Sequence, residues 1–340
     1  MSDTVDLGTV DVVAPRALPQ PSNPVSFVER QISVTITLGE GTFGQSGMNT
    51  WTSPPGARIA ATISKNGYPG QDSADVRIYG MTQDVMNQIV TLTVLPTRQR
   101  LQNTVLVKAG DATNGMAVVF YGNTTAAWKN LDGSPDTFFN INAVSAATDA
   151  LKPAPASSFP GTSDVALVMS GLAGVLGYTF QNSGVQVKLS NVYLAGTAIA
   201  QAQKLARAAN IEMAFDSSTS PTTLAIWPKN QTRGSVIPMI SAATGLIGYP
   251  TYRDLALKFR CLFNPSIVVG GQIQLQSTTG GTGTPNANTS SVQALRQAGP
   301  NGYWYVQAPL TYDLAAQIPD GPWWCDVVCA RGPGLPTVAP

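Results

Sequence analysis

Ile32-Ser33-Val34-Thr35-Ile36-Thr37-Leu38-Gly39-Glu40-Gly41-Thr42-Phe43-Gly44 reads in two ways, and the choice between them decides the fold. Its apolar residues alternate strictly at 32, 34, 36 and 38, the period of a strand with one buried face. Its glycines at 39, 41 and 44 also match the spacing of a loop that cradles phosphate. In a dinucleotide-binding fold those glycines must open a helix. Here Gly47, Pro54 and Pro55 follow, a poor start for a helix. The stretch is therefore a strand that ends in a glycine-rich turn.

The loop's context looks like that of protein kinases, and two further pieces imitate the same site. Lys65 stands in for a phosphate-binding lysine, and Tyr252-Arg253-Asp254-Leu255-Ala256 for a catalytic loop. The chemistry needs more than these pieces. An asparagine should stand five residues past the aspartate to hold a metal ion, and Phe259 is there instead. No Asp-Phe-Gly follows, and Glu29, Glu40 and Glu212 are the only glutamates from which a helix could orient the lysine. The chain has no histidine, which excludes Ser-His and Cys-His nucleophiles, a histidine base and a Cys/His zinc site. The nearest carboxylate pairs, Asp72/Asp75 and Asp132/Asp136, fall in turn-like segments where acidic residues are common. Cys325 and Cys329 fall on one strand, where four residues span ~13 Å, too far for a bridge. With Cys261 they make an odd number, so buried free thiols are expected. No catalytic residue, cofactor or metal is expected.

Charged residues are 11% of the 340-residue chain, against roughly 25% in an ordinary soluble domain. Ser, Thr, Asn, Gln and Gly take their place. Uncharged polar groups desolvate more cheaply than ions, which suits a surface that neighbours will cover; a secreted, Thr/Asn-rich β protein is the alternative. The net charge of +1 leaves no electrostatic footprint for nucleic acid or an anionic membrane. No signal sequence opens the chain, and no apolar run approaches the ~20 residues of a membrane span. A soluble protein with no membrane insertion is expected.

Residues 1–25 contain Pro15, Pro19, Pro21 and Pro24 and lack apolar periodicity, so they read as an extended arm that gains order only against another surface. Residues 26–152 read as a first β domain of about six strands, a compact barrel or sandwich. Turns are expected at Asn66-Gly67, Asn114-Gly115 and Asp132-Gly133, and a short helix capped by Thr82 with Val85, Met86 and Ile89 inward. Lys152-Pro153-Ala154-Pro155-Ala156 is a linker. Residues 153–231 read as a small α+β domain in which helix-strand-strand occurs twice, about 33 residues apart. Its first helix, with Val165, Val168, Leu172, Val175 and Leu176 on one stripe, should begin at Thr162 or Ser163 and stop at Gly177. A hairpin around Asn182-Ser183-Gly184 should follow, then a helix from Thr197 and strands at 211–215 and 223–227. Residues 232–340 are β again, with strands near 236–240, 255–263, 272–277, 303–307 and 323–330. They also hold a low-complexity loop at 278–290 and a loose tail from 332.

Several of these segments resemble baseplate hub proteins of tailed bacteriophages, whose barrels are similar to the tail-tube subunit. Residues 32–47, with Leu-Gly-x-Gly-x-Phe-Gly, look like the family's first strand. Ile78-Tyr79-Gly80-Met81-Thr82 with Met86-Asn87-Gln88 resembles its strand-to-helix corner. The most specific match is Thr244-Gly245-Leu246-Ile247-Gly248-Tyr249-Pro250, followed by Leu262-Phe263-Asn264-Pro265 and Gly270. Residues 304–309, Leu314, Pro319, Gly321 and 323–327 resemble its closing hairpin. The family usually has a histidine beside the position of Tyr312, which this chain lacks, and its first 25 residues look long for the family.

The resemblance implies a mainly β fold with two tube-like barrels per chain and the small α+β domain between them. Three chains would then supply six barrels, adapting a sixfold tail tube, or a distal tail ring protein, to a threefold central spike. The central channel would pass tape measure protein and, in transit, DNA, in a virion baseplate assembled in the host cytoplasm. Met48, Asn49 and Trp51, apolar and polar residues of one loop, and Leu246, Ile247 and Tyr249 are the candidate interface residues. The channel wall should be mostly Ser, Thr, Asn and Gln, with acids balancing any bases, so that it does not grip phosphate. A secretion-system spike hub, a carbohydrate-binding tail protein and a tail hydrolase are the alternatives. Exposed aromatic clusters would favour the second of these, and a cleft with paired carboxylates the third.

Overall fold

Apolar alternation sets the buried face of the main strands of the two β regions. In the computed structural model, β1 (Arg30–Thr37) turns Ile32, Val34 and Ile36 inward and its intervening polar residues outward. It is followed by β2 (Thr50–Thr52), β3 (Ile59–Lys65), β4 (Ser73–Tyr79), α1 (Gln83–Ile89), β5 (Thr104–Asp111), β6 (Gly115–Asn130) and β7 (Phe138–Val144). The middle of the chain forms β8 (Ser157–Asp164), α2 (Val165–Leu176), β9 (Thr179–Asn182), β10 (Lys188–Leu194), α3 (Ala198–Ala209), β11 (Ile211–Asp216) and β12 (Thr223–Pro228). The last part forms β13 (Met239–Ile240), β14 (Leu246–Arg253), β15 (Ala256–Leu262), β16 (Gln272–Leu275), β17 (Thr282–Gly283), β18 (Gly302–Ala316) and β19 (Trp323–Ala330). The structure describes residues 28–331, except 45–46, 68, 91–101, 133–135, 235, 254–255, 278–281 and 284–299. The expected arm, the tail from 332 and nearly all of the low-complexity loop lie outside the described residues.

The two β regions repeat one strand order. In the first, β3, β4, β7, β6, β5 and β1 are successive neighbours; in the second, β14, β15, β19, β18, β16 and β13 are. The buried columns correspond as well. Phe139, Ile141 and Ala143 of β7 point inward, as do Cys325, Val327 and Cys329 of β19. Only the outermost pair differs, antiparallel between β1 and β5 and parallel between β13 and β16. The second half of β18 pairs with β3, from Leu310↔Lys65 to Ala316↔Ile59, so a single sheet path runs through both regions. One apolar cluster draws on both. The chain is thus mainly β with a small α+β part, as the sequence implies. Cys261, Cys325 and Cys329 are free and buried within the sheet.

The α+β part has its own core. α2 and α3 bury Val165, Val168, Met169, Leu172, Ala198, Ile199, Ala202 and Leu205 in one cluster. α2 starts later than expected, because Asp164 is the residue whose side chain caps it, accepting from the Ala166 N–H at 2.8 Å. Gly177 ends it in a left-handed conformation (φ 72°), as expected. Thr82 stands before α1, but its side chain makes no cap hydrogen bond.

The expected hairpin around Asn182-Ser183-Gly184 does not form. Asn182 does make a local turn, its Oδ1 accepting from the Val185 N–H at 2.8 Å. The strand before it, however, pairs in parallel with β12, and the strand after it, β10, pairs with β8. The recurring unit is therefore strand-helix-strand, β8-α2-β9 and then β10-α3-β11, with β12 added. β12 is buried along five residues because it is covered on both faces: Leu224 and Ile226 enter the helical core, while Ala225 and Trp227 turn the other way.

Trp227 also ties this part to the second β region. A Cβ on Gly270 would lie 2.6 Å from the Trp227 ring. Gly270 (φ +83°) and Gly115 (φ +84°) share a left-handed backbone, but Gly115 faces open space. Alanine at either site costs ~1–2 kcal/mol in backbone strain, and at Gly270 a further ~1–3 kcal/mol from overpacking. Urea denaturation should therefore show Gly270→Ala to be the more damaging. Equal losses would remove the packing term.

Candidate functional site

The ends of the sheet path carry the interface candidates, one trio at each end. At the first, the glycine-rich stretch is the turn between β1 and β2. It is closed by the Leu38 N–H on the Asn49 carbonyl and the Phe43 N–H on the Met48 carbonyl, both at 2.8 Å. Phe43 is buried in the core, and the Gly39 N–H donates to Asn103 Oδ1 at 3.1 Å. Met48 is 62% exposed and Asn49 is exposed. Trp51 sits opposite Ile36 and packs half-buried against the protein's own core, so little of its ring is offered to a partner.

At the other end, Leu246 of β14 also leans on the core, whereas Ile247 is 38% and Tyr249 64% exposed. Tyr249 rides on a bulge, since the β14–β15 register shifts between Ile247 and Thr251. Val236, Ile237 and Met239 add exposed apolar surface just before this strand. Sequence reading had placed these three on a strand and missed their exposure; Pro238 among them was the available sign that the strand would be cut to two residues.

A buried polar junction, which sequence reading did not find, lies where the three parts of the chain meet. Lys65 Nζ donates to Ser217 Oγ at 2.6 Å, and Ser217 Oγ donates to Asp72 Oδ2 at 2.7 Å. Lys65 and Asp72 form an ion pair at 3.5 Å with both side chains buried. The Asp72 N–H donates to Ser145 Oγ at 3.0 Å. Beside it Arg233 pairs with Asp216 and donates to Gln181 Oε1, while its N–H reaches the Gly270 carbonyl at 2.6 Å. Burial alone would raise the Asp216 carboxyl, but the charges of Arg233 and Lys65, with hydrogen bonds from the Ser218 N–H and Arg233, hold it well below the usual carboxylate range. Lys65, the supposed phosphate lysine, is thus committed inside the protein. Asp254 and Leu255 of the kinase-like segment lie outside the described residues.

A cleft of about 380 Å³ opens between the first β region and the helices. Its carboxylate is Asp149, which accepts from the Tyr178 hydroxyl at 2.6 Å and from Lys152 at 2.7 Å. Burial and this bond push the Tyr178 hydroxyl far above its usual range. The carboxylate pairs noted in the sequence, Asp72/Asp75 and Asp132/Asp136, do not line this cleft. Asp72 is in the junction, Asp75 lies beside Arg77 on the opposite face of β4, and Asp136 pairs with Arg58 at 2.8 Å. Among the described residues no group of three or more His, Cys, Asp or Glu side chains could hold a metal ion. No described helix is long and apolar enough to cross a membrane.

A family model described as "Baseplate hub gp41" matches residues 31–282. Among solved structures, a tail protein from Neisseria meningitidis MC58 is similar at a TM-score of 0.54 and 8% identity, covering 88% of this chain and 96% of that one. The 43 kDa tail protein of prophage MuSo2 from Shewanella oneidensis is similar at 0.53 and 8% identity, covering 91% and 100%. The E. coli c3393 protein, a component of the type VI secretion system, overlaps at 0.48 and 10% identity, over 84% and 76%. No curated protein matches the chain.

The junction makes stability depend on acid. A carboxyl held below its ordinary value of 3.8 contributes stability that is present above that value and lost as pH falls through the lower folded value. The urea midpoint should therefore fall as the pH drops below about 4, and Asp216→Asn should flatten that fall. Arg233→Met, which strands a buried carboxylate, should cost ~3–5 kcal/mol at neutral pH. An unchanged acid profile in Asp216→Asn would sink the assignment.

Proposed function

This chain belongs to the Baseplate hub gp41 family, and we propose that it works as a non-enzymatic symmetry adapter, three copies of which join the sixfold tail tube to a threefold spike. The observation that carries the reading is the repeated strand order: each chain holds two equivalent β regions, each acting as one tube-like barrel, so three chains present six. One side of that ring would dock on the tail tube or a distal tail ring protein and the other on the central spike protein. The place of work is the virion baseplate, assembled in the host cytoplasm. Light scattering should give a solution mass three times that of the 35.6 kDa chain, alone or with its tail partners. A monomer at high concentration that stays monomeric with those partners would count against the adapter.

The ring would enclose a channel for tape measure protein and, later, DNA. The sheet face opposite the core supports this. Across β3, β4, β7 and the second half of β18 it presents Thr62, Ser64, Ser73, Asn142 and Thr311. On the same face Arg77 lies 3.7 Å from Asp75, and both Asp326 and Asp313 act on Arg260. Arg260 is held bidentately by Asp326, both bonds at 2.8 Å. A wall of this kind neutralises few phosphates, so little counterion release drives binding. The isolated protein should show no tight, salt-dependent DNA binding in a titration from low to physiological salt. Affinity that falls steeply with salt would show the wall to be a grip.

A further inference from the structure

We propose that Cys261 and Cys325 are a redox-modification site: a peroxide joins them in a strained disulfide, and a monothiol such as glutathione parts them again. The pairing stands on the register of one sheet and does not depend on the ring reading above.

The two cysteines are direct partners across the antiparallel pair of β15 and β19. Both side chains turn into the core, Cys261 1% and Cys325 0% exposed. A side-chain hydrogen bond joins them. Cys329 provides an internal control. It lies on the same strand and the same buried face, but its cross-strand partners are Leu257 and Val306. Four residues along a strand put it ~13 Å from Cys325, out of reach of a bridge.

The ladder also fixes which kind of pair this is. The Phe263 N–H donates to the Trp323 carbonyl at 3.1 Å. Hydrogen-bonded and non-hydrogen-bonded pairs alternate along an antiparallel ladder, so Cys261 and Cys325, two steps further on, are of the hydrogen-bonded kind. The Cα atoms of such a pair stand about 5.5 Å apart, inside the range a disulfide accepts. Its Cβ atoms are the wider-spaced ones, about 5.5 Å apart, and must close to about 3.5–4.5 Å. The surroundings resist that closure. The Leu262 N–H holds β15 to the Gly245 carbonyl on its far side at 2.8 Å. Tyr312, the other cross-strand neighbour of Cys325, is fixed by its hydroxyl on the Ile267 carbonyl at 2.9 Å. A bridge drawn against these ties is strained, and strained disulfides are the easily reduced ones. The site is therefore reversible, not a permanent staple.

In the oxidising direction one sulfur, as thiolate, attacks a peroxide oxygen. The O–O bond breaks, leaving a sulfenic acid and a hydroxide that takes up the proton the first thiol shed. The second sulfur then attacks the first. The S–S bond forms, the S–O bond breaks, and the hydroxyl leaves as water with the second thiol's proton. Two thiols and one peroxide thus give one disulfide and two waters, the two sulfurs surrendering two electrons. Two monothiols return those electrons by becoming their own disulfide. Burial and the bond to Cys261 push the Cys325 thiol up, and neither sulfur meets solvent, so oxidation is slow and waits on local opening of the sheet. A chain assembled in a reducing cytoplasm, as the proposed role implies, keeps its thiols there and meets oxidant only outside.

The test uses the reduced full-length chain, held with hydrogen peroxide in buffer and in urea below its unfolding midpoint. It is then unfolded and alkylated with N-ethylmaleimide. One alkylated thiol should remain of the original three, and a peptide map without reductant should join 261 to 325. Glutathione applied to the folded, oxidised chain should restore all three thiols. Cys329→Ala should leave the bridge as it is, and Cys325→Ala should abolish it. Three alkylatable thiols under both conditions would overturn the pairing. So would a bridge that uses Cys329, or sulfinic acid at either cysteine without the joined peptide. A joined peptide that glutathione does not open would overturn the reversibility.

Discussion

Seven consecutive residue pairs between β3 and β18 join two β regions that are far apart in sequence. Backbone groups on a strand's open side must find a partner or water. Here each region supplies the other with a ready-made edge. The ladder also aligns the buried columns, setting Ile63 opposite Tyr312 and Ala61 opposite Leu314, so that one apolar core serves both. Shifting it by a single residue would turn those columns toward the polar face. The ladder closes a loop of more than half the chain, a slow step in folding, and so benefits from something that fixes its position.

The buried polar junction sits where such a fix is useful. Lys65 is the last residue of β3, and Leu310, where the ladder begins, lies opposite it. Asp72 comes from the turn after β3, Ser217 from the turn after β11, and Arg233 from the segment leading to β13. Buried ion pairs add little net stability, because desolvation offsets their attraction. A misplaced partner, on the other hand, leaves a buried charge uncompensated. The junction thus penalises every arrangement but one of the two β regions and the helical part. Trp227 closing over Gly270 does the same by shape.

Local patterns in the sequence revealed local structure. The alternation at 32–38, the Asn114-Gly115 turn and the Gly177 stop all stand where their chemistry puts them. Pairing between distant strands was not legible. Residues 157–164 hold one large apolar residue, Phe159, and become β8 only because β10 lies beside them. The Asn182 turn was real, yet β9 takes β12 as its neighbour. The junction was invisible for the same reason, since Lys65 and Asp72, Ser217, and Arg233 come from three distant stretches of the chain. Met48, Ile247 and Tyr249 stood out as apolar residues in polar or glycine-rich surroundings, and they are exposed. Trp51 carried the same signal, but its place opposite Ile36 turns it inward.

Open sheet edges invite indiscriminate pairing, and proteins often guard them with charge. A chain with 11% charged residues has little to spare. Its edges are guarded by shape instead. β2 is only three residues long. β14 is broken by a bulge that contains Gly248, Tyr249 and Pro250, and proline can donate no ladder hydrogen bond. A bulge rejects a regular strand but accepts one whose side chains fill the gap it leaves. Shape of this kind excludes most partners without the desolvation cost that a charged guard would impose once the edge is covered. The low charge of the chain and the irregularity of its edges are then two sides of one solution, a surface kept apart from strangers by geometry and left free to be buried by the right neighbour.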